Sequence, residues 1–323
     1  MPKLLISTVN YRTAELAIKC LDSVARELAS LPQTQMTIVD NDSGDDSVDK
    51  ISQAIVDNGW SDWAKIVDAG KNGGFAFGNN IAIREALASD EAPDFVWLLN
   101  PDAELKPGAG KALVDFLSQH PMAGLASSSS VDENGEKQAM AFRRFSPLSE
   151  FVGTMKLGIL DRLLPKAIIA IPPQAEPYQA DWLSGSSLMI RREVFEDIGL
   201  MDEDYFLYFE ESDFCLQAQR KDWKLWFAPK SEIIHLIGAS TGFTHLDTKL
   251  PRRPRYWFDS RRRYFLKNFG GFYTLLADLS HLTGFALWRL RRLVQQKPDY
   301  DPPHYLKDFF MNSVFVRGVK LDS

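Results

Sequence analysis

Cysteine is scarce in this 323-residue chain: Cys20 and Cys215 are the only two. Neither belongs to a metal-like or redox-like pair, which excludes a disulfide-stapled scaffold and a zinc-ribbon framework. Reduced thiols and a cytoplasmic location are therefore expected. No stretch of about 20 apolar residues free of charge occurs, so a transmembrane span is not expected. The opening "MPKLLISTVNY" has too short an apolar run for a signal peptide and reads as a strand. Internal repeats and low-complexity tracts are missing. The glycine-rich "KNGGFAFGNN" is neither a G-x-G-x-x-G fingerprint nor a Walker loop.

What is present is ordinary globular composition, 45% hydrophobic and 25% charged, with ample length for a full core. The length suits one large domain or two smaller ones. The net charge of −6 hides an asymmetry. Residues 252–323 hold 14 Lys and Arg against 6 Asp and Glu, a balance of +8, whereas residues 1–251 hold 23 against 37, a balance of −14. Basic tails commonly meet phosphates, in nucleic acid or on an anionic membrane surface. Solvated helix faces are the equal alternative.

Strand and helix patterns alternate along the first hundred residues. "KLLIST" reads as a strand. In the following "TAELAIKCLDSVAREL", Ala17, Cys20, Leu21, Val24 and Leu28 recur at helical spacing, with Thr13 placed to cap the start. "MTIVDNDS" and "AKIVDAG" read as strands, with a helix between them over 47–58. A helix follows the glycine-rich loop, and "DFVWLLNPDAEL" is a fourth strand running into acidic residues. This alternation predicts a mostly parallel sheet flanked by helices. In such sheets ligands bind beyond the carboxyl ends of the strands. The rule points to Asp40, Asn41, Asp68 and the 100–102 stretch, each of which closes a hydrophobic run. "AGLASSSS" is a further strand, residues 130–180 read as loop with short helices, "DWLSGSSLMIRREVF" as strand then helix, and "KLWFAPKSEIIHL" as strand. From Tyr256 onward the chain is helical, aromatic and basic. It suits a C-terminal helical hairpin, or an amphipathic helix on a membrane with Trp288, Arg289, Arg291 and Arg292 near the interface.

Several residues have the right chemistry for a site. Asn100 and Asp102, two apart on an extended segment, point the same way. Such oxygen ligands suit Mg2+ or Mn2+ with substrate phosphates completing the shell. Asn-Pro-Asp is also a strong turn signal. Gly73, Gly74 and Gly78 let backbone approach a ligand, and amides at the helix start beyond them suit a phosphate or base edge, although a plain loop-to-helix junction reads the same way. His235 ends an apolar run, where a hydrogen-bonded core histidine and a ligand are both consistent. In "YFLYFEESDFCLQAQRKDW", Glu210, Glu211 and Asp213 crowd the first turn of a helix. The helix dipole accounts for part of that. The aromatics before them should desolvate the carboxylates and raise their proton affinity, as a general base near neutral pH requires.

As a set, "STVNYRTAELAIKCLDSV", "IVDNDSGDDS", "NGGFAFGNN", "WLLNPDAEL", "WLSGSSLMIRREVFEDIGLMDEDYFLYFEESDFCLQAQRKDW" and "IIH" resemble glycosyltransferase family 2, the inverting nucleotide-sugar enzymes of GT-A fold, and most of all its bacterial rhamnosyltransferase-like members. The resemblance covers roughly residues 3–240 and is weaker in the tail, mainly at "YWFDSRRRYF". It implies a Rossmann-like GT-A domain over 1–250 and a helical extension over 251–323. By resemblance, Asp40 holds the nucleotide base. Asn41, Asp68, Asn72, Gly73, Gly74, Asn80 and Asn100 line the nucleotide sugar, and Asp102 and His235 hold the divalent cation. Trp182, Ser184 and Gly185 line the acceptor side. Glu211 is the first choice for catalytic base, ahead of Asp213 and Glu210. Two departures from the family pattern stand out: Asn100 replaces a usual Asp and coordinates metal more weakly, and Glu211 replaces a usual Asp and reaches about one methylene further.

The implied partners are a nucleoside-diphosphate sugar, a glycan or lipid-linked acceptor and, through the basic tail, an anionic membrane at the inner face. No nucleic-acid partner is expected. The alternatives are a catalytically impaired sugar- or nucleotide-binding module, favoured by the two departures, and a nucleotidyltransferase. The latter calls for a Gly-rich basic signature near the N-terminus, and "STVNYRTAE" does not supply one.

Overall fold

The computed structural model describes residues 2–31, 33–236 and 250–321. Residues 237–249, where the expected N-terminal domain ends, lie outside the described residues. The described chain forms two compact units, one of residues 2–142, 172–206 and 210–236, the other of 143–171, 207–209 and 250–321. Residues 143–171 thus group with the C-terminal helices.

The first unit carries strands β1 (Leu4–Asn10), β2 (Thr34–Asp40), β3 (Ala64–Asp68), β4 (Phe95–Leu99), β5 (Ala103–Leu105), β6 (Ala123–Val131), β7 (Lys137–Gln138), β8 (Ala141–Phe142), β9 (Tyr178–Gln179), β10 (Trp182–Leu183), β11 (Ser187–Arg191) and β12 (Lys224–His235). Its helices are α1 (Ala14–Glu27), α2 (Ser47–Asp57), α3 (Gly74–Leu87) and α4 (Ala109–Gln119). The second unit holds α5 (Pro147–Met155) and α6 (Gly158–Leu163). Helices α7 (Arg192–Ile198) and α8 (Glu210–Arg220) return to the first, and α9 (Arg255–Val294), α10 (Tyr305–Asn312) and α11 (Val314–Arg317) complete the second.

The main sheet runs β3-β2-β1-β4-β11-β6-β12-β5. Its β3-β2-β1-β4 half is parallel, as the alternation of strand and helix requires. The other half is mixed: β11 lies antiparallel between β4 and β6, and β12 runs parallel to β6 but antiparallel to β5. Both faces of the central strands are buried. Ile6, Met36, Ile38, Trp97, Leu98 and Phe227 are among the most deeply enclosed side chains, as burial on both sheet faces requires. Inside β6 the serines of "SSSS" form a buried hydroxyl chain: the Ser128 hydroxyl lies 2.7 Å from both Ser187 and Ser231, and Trp97 Nε1 donates to Ser187. One expected detail fails. Thr13 precedes α1 but its side chain does not cap it; the Thr13 hydroxyl donates to Asn10 Oδ1 at 2.9 Å.

In the second unit α9 breaks at Gly270, whose φ of 77° and ψ of 175° no helix tolerates. The limbs 255–269 and 271–294 form the expected hairpin, and α5 packs against it. At its centre Arg261 donates to Glu150 at 2.9 Å and to Asp278 at 2.6 Å, while Glu150 also meets His281 Nδ1 at 2.5 Å and His281 Nε2 meets the Tyr305 hydroxyl. Burial pushes the Glu150 carboxyl up, but the Arg261 charge and the His281 hydrogen bond outweigh it and bring it down to about 2. The cluster is buried and joins α5, both limbs of the hairpin and α10, so it ties the hairpin to α5.

Candidate functional site

The carboxyl ends of β1, β2 and β3 are in register, so Asn10, Asp40 and Asp68 lie side by side across three strands. Asp40 is 2% exposed and firmly held: Asn10 Nδ2 and the Ser43 hydroxyl both donate to Oδ1 at 2.6 Å, and the Ser43 amide donates to Oδ2 at 2.9 Å. Asn41 is buried and donates to the Gly74 carbonyl at 2.9 Å, which ties the β2 end to the glycine-rich loop. Asp68 is exposed and accepts from the Gly70 amide, closing a turn.

In the loop, Asn72 Oδ1 accepts from the Gly74 amide at 3.1 Å, and Gly73 stands just before α3. Gly74 is a position only glycine can fill. Its φ is +87°, and a Cβ there would fall 1.8 Å from the Phe206 carbonyl oxygen, which accepts from the Phe75 amide at 3.0 Å. Asn80 is buried within α3. Its amide donates to the Met201 carbonyl and to Glu203, and its Oδ1 accepts from the Met201 amide. The side chain therefore clamps the segment leading toward α8.

Asn100 and Asp102 follow β4 and meet His235 across 133 residues of sequence. The cause is sheet pairing: β12 runs antiparallel to β5, which sets His235 opposite Ala103. His235 Nε2 lies 3.2 Å from Asp102 Oδ1 and 3.4 Å from Asn100 Nδ2. Asp102 is 3% exposed, and its Oδ1 lacks a hydrogen bond among the described residues. A buried, unsatisfied carboxylate oxygen beside an imidazole is a set that a divalent cation fits, with other oxygens completing the shell. No group of three or more His, Cys, Asp or Glu side chains suited to a metal exists among the described residues.

The turn after β10 connects this corner to the acidic helix. The Asn100 amide donates to the Ser186 carbonyl at 3.0 Å, Ser184 and Ser186 share a hydroxyl contact at 2.9 Å, and Trp182 stacks on Phe142 with centroids 4.0 Å apart. A Cβ at Gly185 would meet the Phe75 ring at 3.1 Å and Glu211 Cβ at 3.9 Å. The turn 184–186 is therefore bonded to Asn100 and lies beside Phe75 and Glu211. Asn100, the glycine-rich loop and the acidic helix all converge on it.

At the start of α8, Glu210, Glu211 and Asp213 sit where the exposed helix dipole favours anions. Glu210 and Asp213 are buried, and the Oε2 atoms of Glu210 and Glu211 lack hydrogen bonds among the described residues. Asp213 Oδ1 accepts from Gln217 at 3.1 Å. Burial pushes Glu211 up to about 7, against the pull of its own and the Ser212 amides. Burial and the Glu211 charge push Glu210 well above the usual carboxylate range. Two adjacent carboxyls, one of them fully buried, resist ionising together, so the pair holds a proton more tightly than an isolated carboxyl does. Directly before them Tyr208 and Phe209 both adopt left-handed backbone, at φ of 71° and 69°. This is strain of the kind that accumulates at functional segments.

Sequence reasoning missed Tyr11, Arg12 and Ser43. Arg12 has a φ of 58°, its amide and Nε donate to the Ser43 hydroxyl and carbonyl, and its guanidinium lies 5.1 Å from the exposed Tyr11 ring just beyond β1. The signal was available in "VNYRT", an Asn-aromatic pair closing a strand. A separate crevice of about 430 Å3 at the opposite ends of β1 and β2, lined by Lys3, Gln35, Lys65 and Glu85 among others, includes none of the candidate residues.

A family model described as glycosyl transferase family 2 matches residues 4–199. Among curated proteins, the chain is 29% identical over 211 residues to an N-acetylglucosaminyl-diphospho-decaprenol L-rhamnosyltransferase of Mycobacterium tuberculosis, covering 59% of this chain and 68% of that protein. It is 27% identical over 166 residues to the rhamnosyltransferase WbbL of Escherichia coli, covering 50% and 60%. It is 26% identical over 304 residues to the low-salt glycan biosynthesis hexosyltransferase Agl10 of Haloferax volcanii, covering 92% and 87%. Among solved structures, the mannosyltransferase PcManGT from Pyrobaculum calidifontis, in complex with GDP-Man and Mn2+, shares the fold at a TM-score of 0.57 and 14% identity, covering 92% of this chain and 76% of that one.

Proposed function

The chain belongs to glycosyl transferase family 2, and from that membership we propose that it transfers a hexose, rhamnose in the first instance, from a nucleoside-diphosphate donor to a hydroxyl of a glycan or lipid-linked acceptor, with inversion, in cell-surface polysaccharide synthesis. We assign the transferase chemistry to residues 1–250 and treat 251–323 as an extension. The observation that carries this reading is the Glu210–Glu211 pair at the start of α8, two carboxyls with raised proton affinity and unpaired Oε2 atoms beside the 184–186 turn. The curated relatives named for rhamnosyl and hexosyl transfer supply the sugar class.

In this mechanism the acceptor hydroxyl lies against Glu211. The carboxylate takes its proton as the oxygen attacks the anomeric carbon, the bond from that carbon to the phosphate oxygen breaks, and the electron pair leaves with the nucleoside diphosphate. One displacement inverts the centre, so no enzymic nucleophile is needed. Asp40, Asn41 and the Asn72–Gly74 loop form the donor side, with Tyr11 beside them. Trp182, Ser184 and Gly185 form the acceptor side. Asp102 and His235 would hold a divalent cation, Mg2+ or Mn2+, whose charge stabilises the leaving diphosphate. Asn100 in place of a carboxylate makes that hold looser.

Thermal shift of the full chain with dTDP-rhamnose and other nucleotide sugars tests donor and metal together, since a ligand of the folded state raises apparent stability. With Mn2+ present, Asp102→Ala is expected to remove most of the donor-induced shift, and in chelator it is expected to change little. An equal loss in chelator would take the metal role from Asp102.

A further inference from the structure

The C-terminal unit offers an interaction surface that its basic composition conceals. Most of the arginines behind the +8 balance are occupied within the unit. Arg261 is buried between Glu150 and Asp278, and Arg262 donates to the Gly318 carbonyl. Arg252 pairs with Asp308, Arg289 with Asp299 and Asp301, and Arg291 donates to the Met155 and Lys156 carbonyls. One exposed face of the unit is apolar. On limb 271–294, Phe272, Leu276, Leu279, Leu287, Leu290 and Val294 are between 37% and 77% exposed. At about 100° per residue they fall on one arc roughly 80° wide, along a helix about 36 Å long. The exposed residue that completes the arc is Thr283, so the stripe holds no charge. The opposite face carries Thr274, Ala277, Asp278, His281, Phe285 and Trp288 and is buried.

We propose that this stripe is a bilayer-docking face, which lies in the headgroup–acyl boundary while the other side of the helix packs on its own unit. The inference rests on the transfer reading above, because a lipid-linked acceptor presents its hydroxyl at a bilayer. It also rests on charge. The one acidic residue of the limb, Asp278, is buried, exposed Lys267 and Lys297 lie beyond its two ends, and no acid interrupts the stripe. That pattern suits a helix lying in an anionic interface. None of the described helices is long and apolar enough to cross a membrane. The occupant is therefore a surface contact. Binding is driven by apolar insertion, with the flanking lysines adding a smaller electrostatic part.

Flotation of the full chain with vesicles of phosphatidylcholine alone, and of phosphatidylcholine with phosphatidylglycerol, tests this. The expected result is partition onto both, a few-fold stronger with the anionic lipid and largely retained at high salt. The double variant Leu279→Glu/Leu290→Glu is expected to lose at least tenfold in partition on both vesicles, with an unchanged thermal midpoint in the absence of lipid. Two results would overturn the proposal. One is binding only to anionic vesicles, abolished by salt and unaffected by the double variant. The other is no vesicle binding together with a lipid-free dimer, by light scattering, that the same variant dissociates. Flotation needs no turnover, so failure here leaves the transfer reading standing, and an inactive chain that floats leaves this one standing.

Discussion

Glu211→Gln is expected to lower kcat for sugar transfer by about 10^2- to 10^4-fold and to leave donor affinity nearly unchanged. The amide keeps the shape of the side chain and cannot take a proton. The variant should also be more stable at alkaline pH. The Glu211 carboxyl titrates near 7 in the folded chain and near 4.5 when unfolded. The folded state therefore binds the proton more tightly, and stability falls as pH rises between those two values. Above pH 7 the charged carboxylate costs at most on the order of 3 kcal/mol, a penalty that glutamine lacks. At pH 4 the two proteins should denature alike. Denaturant titrations at pH 4 and pH 8, run beside the transfer assay, separate loss of a base from loss of fold. A glutamine variant that is both inactive and destabilised at pH 8 would mean that the carboxylate holds the fold.

Gly74→Ala is expected to destabilise the first unit by about 3 kcal/mol and to weaken donor binding at the same time. The added methyl would sit 1.8 Å from the Phe206 carbonyl oxygen. Relief requires the Phe75–Phe206 hydrogen bond to break, which moves both the glycine-rich loop and the chain leading into Glu210. Gly70 provides the contrast. It too has a positive φ, 66°, but a Cβ there meets nothing within 4 Å, so Gly70→Ala should cost only about 1 kcal/mol of backbone strain. Denaturant midpoints for the two variants, with donor titration by calorimetry, measure the difference. Equal effects would show that close approach at Gly74 is not what demands glycine.

The parallel half of the sheet was legible because β1 to β4 are short segments rich in apolar residues separated by helical periodicity, and each is closed by a polar residue at or just past its end. Asp40, Asp68 and Asn100 fell where the carboxyl-end rule placed them. Other contacts depend on pairings that no local pattern encodes. His235 meets Asp102 only because β12 doubles back beside β5. β11 enters antiparallel between β4 and β6, which an alternation argument does not anticipate. Asn80 reads as a ligand-facing amide at a helix start, yet its partners are Met201 and Glu203, 121 and 123 residues away. The bonds by which Asn10 and Ser43 hold Asp40 are likewise set by strand register and the turn after β2. The raised proton affinity of Glu210 and Glu211 follows from burial, and composition gave only the crowding. The grouping of residues 143–171 with the C-terminal helices is made by partners more than 100 positions apart, Glu150 with Arg261 and His281, and Met155 and Lys156 with Arg291.

The central claim is that a carboxyl with a pKa raised to near neutrality removes the acceptor proton. The pH dependence of kcat/KM, from about pH 5.5 to about pH 8.5 with saturating divalent cation, tests it most directly. The account predicts a rise of about tenfold per pH unit that levels off near pH 7, and the absence of that limb from the residual activity of Glu211→Gln. A flat wild-type profile, or a limb that persists unchanged in the glutamine variant, would contradict it.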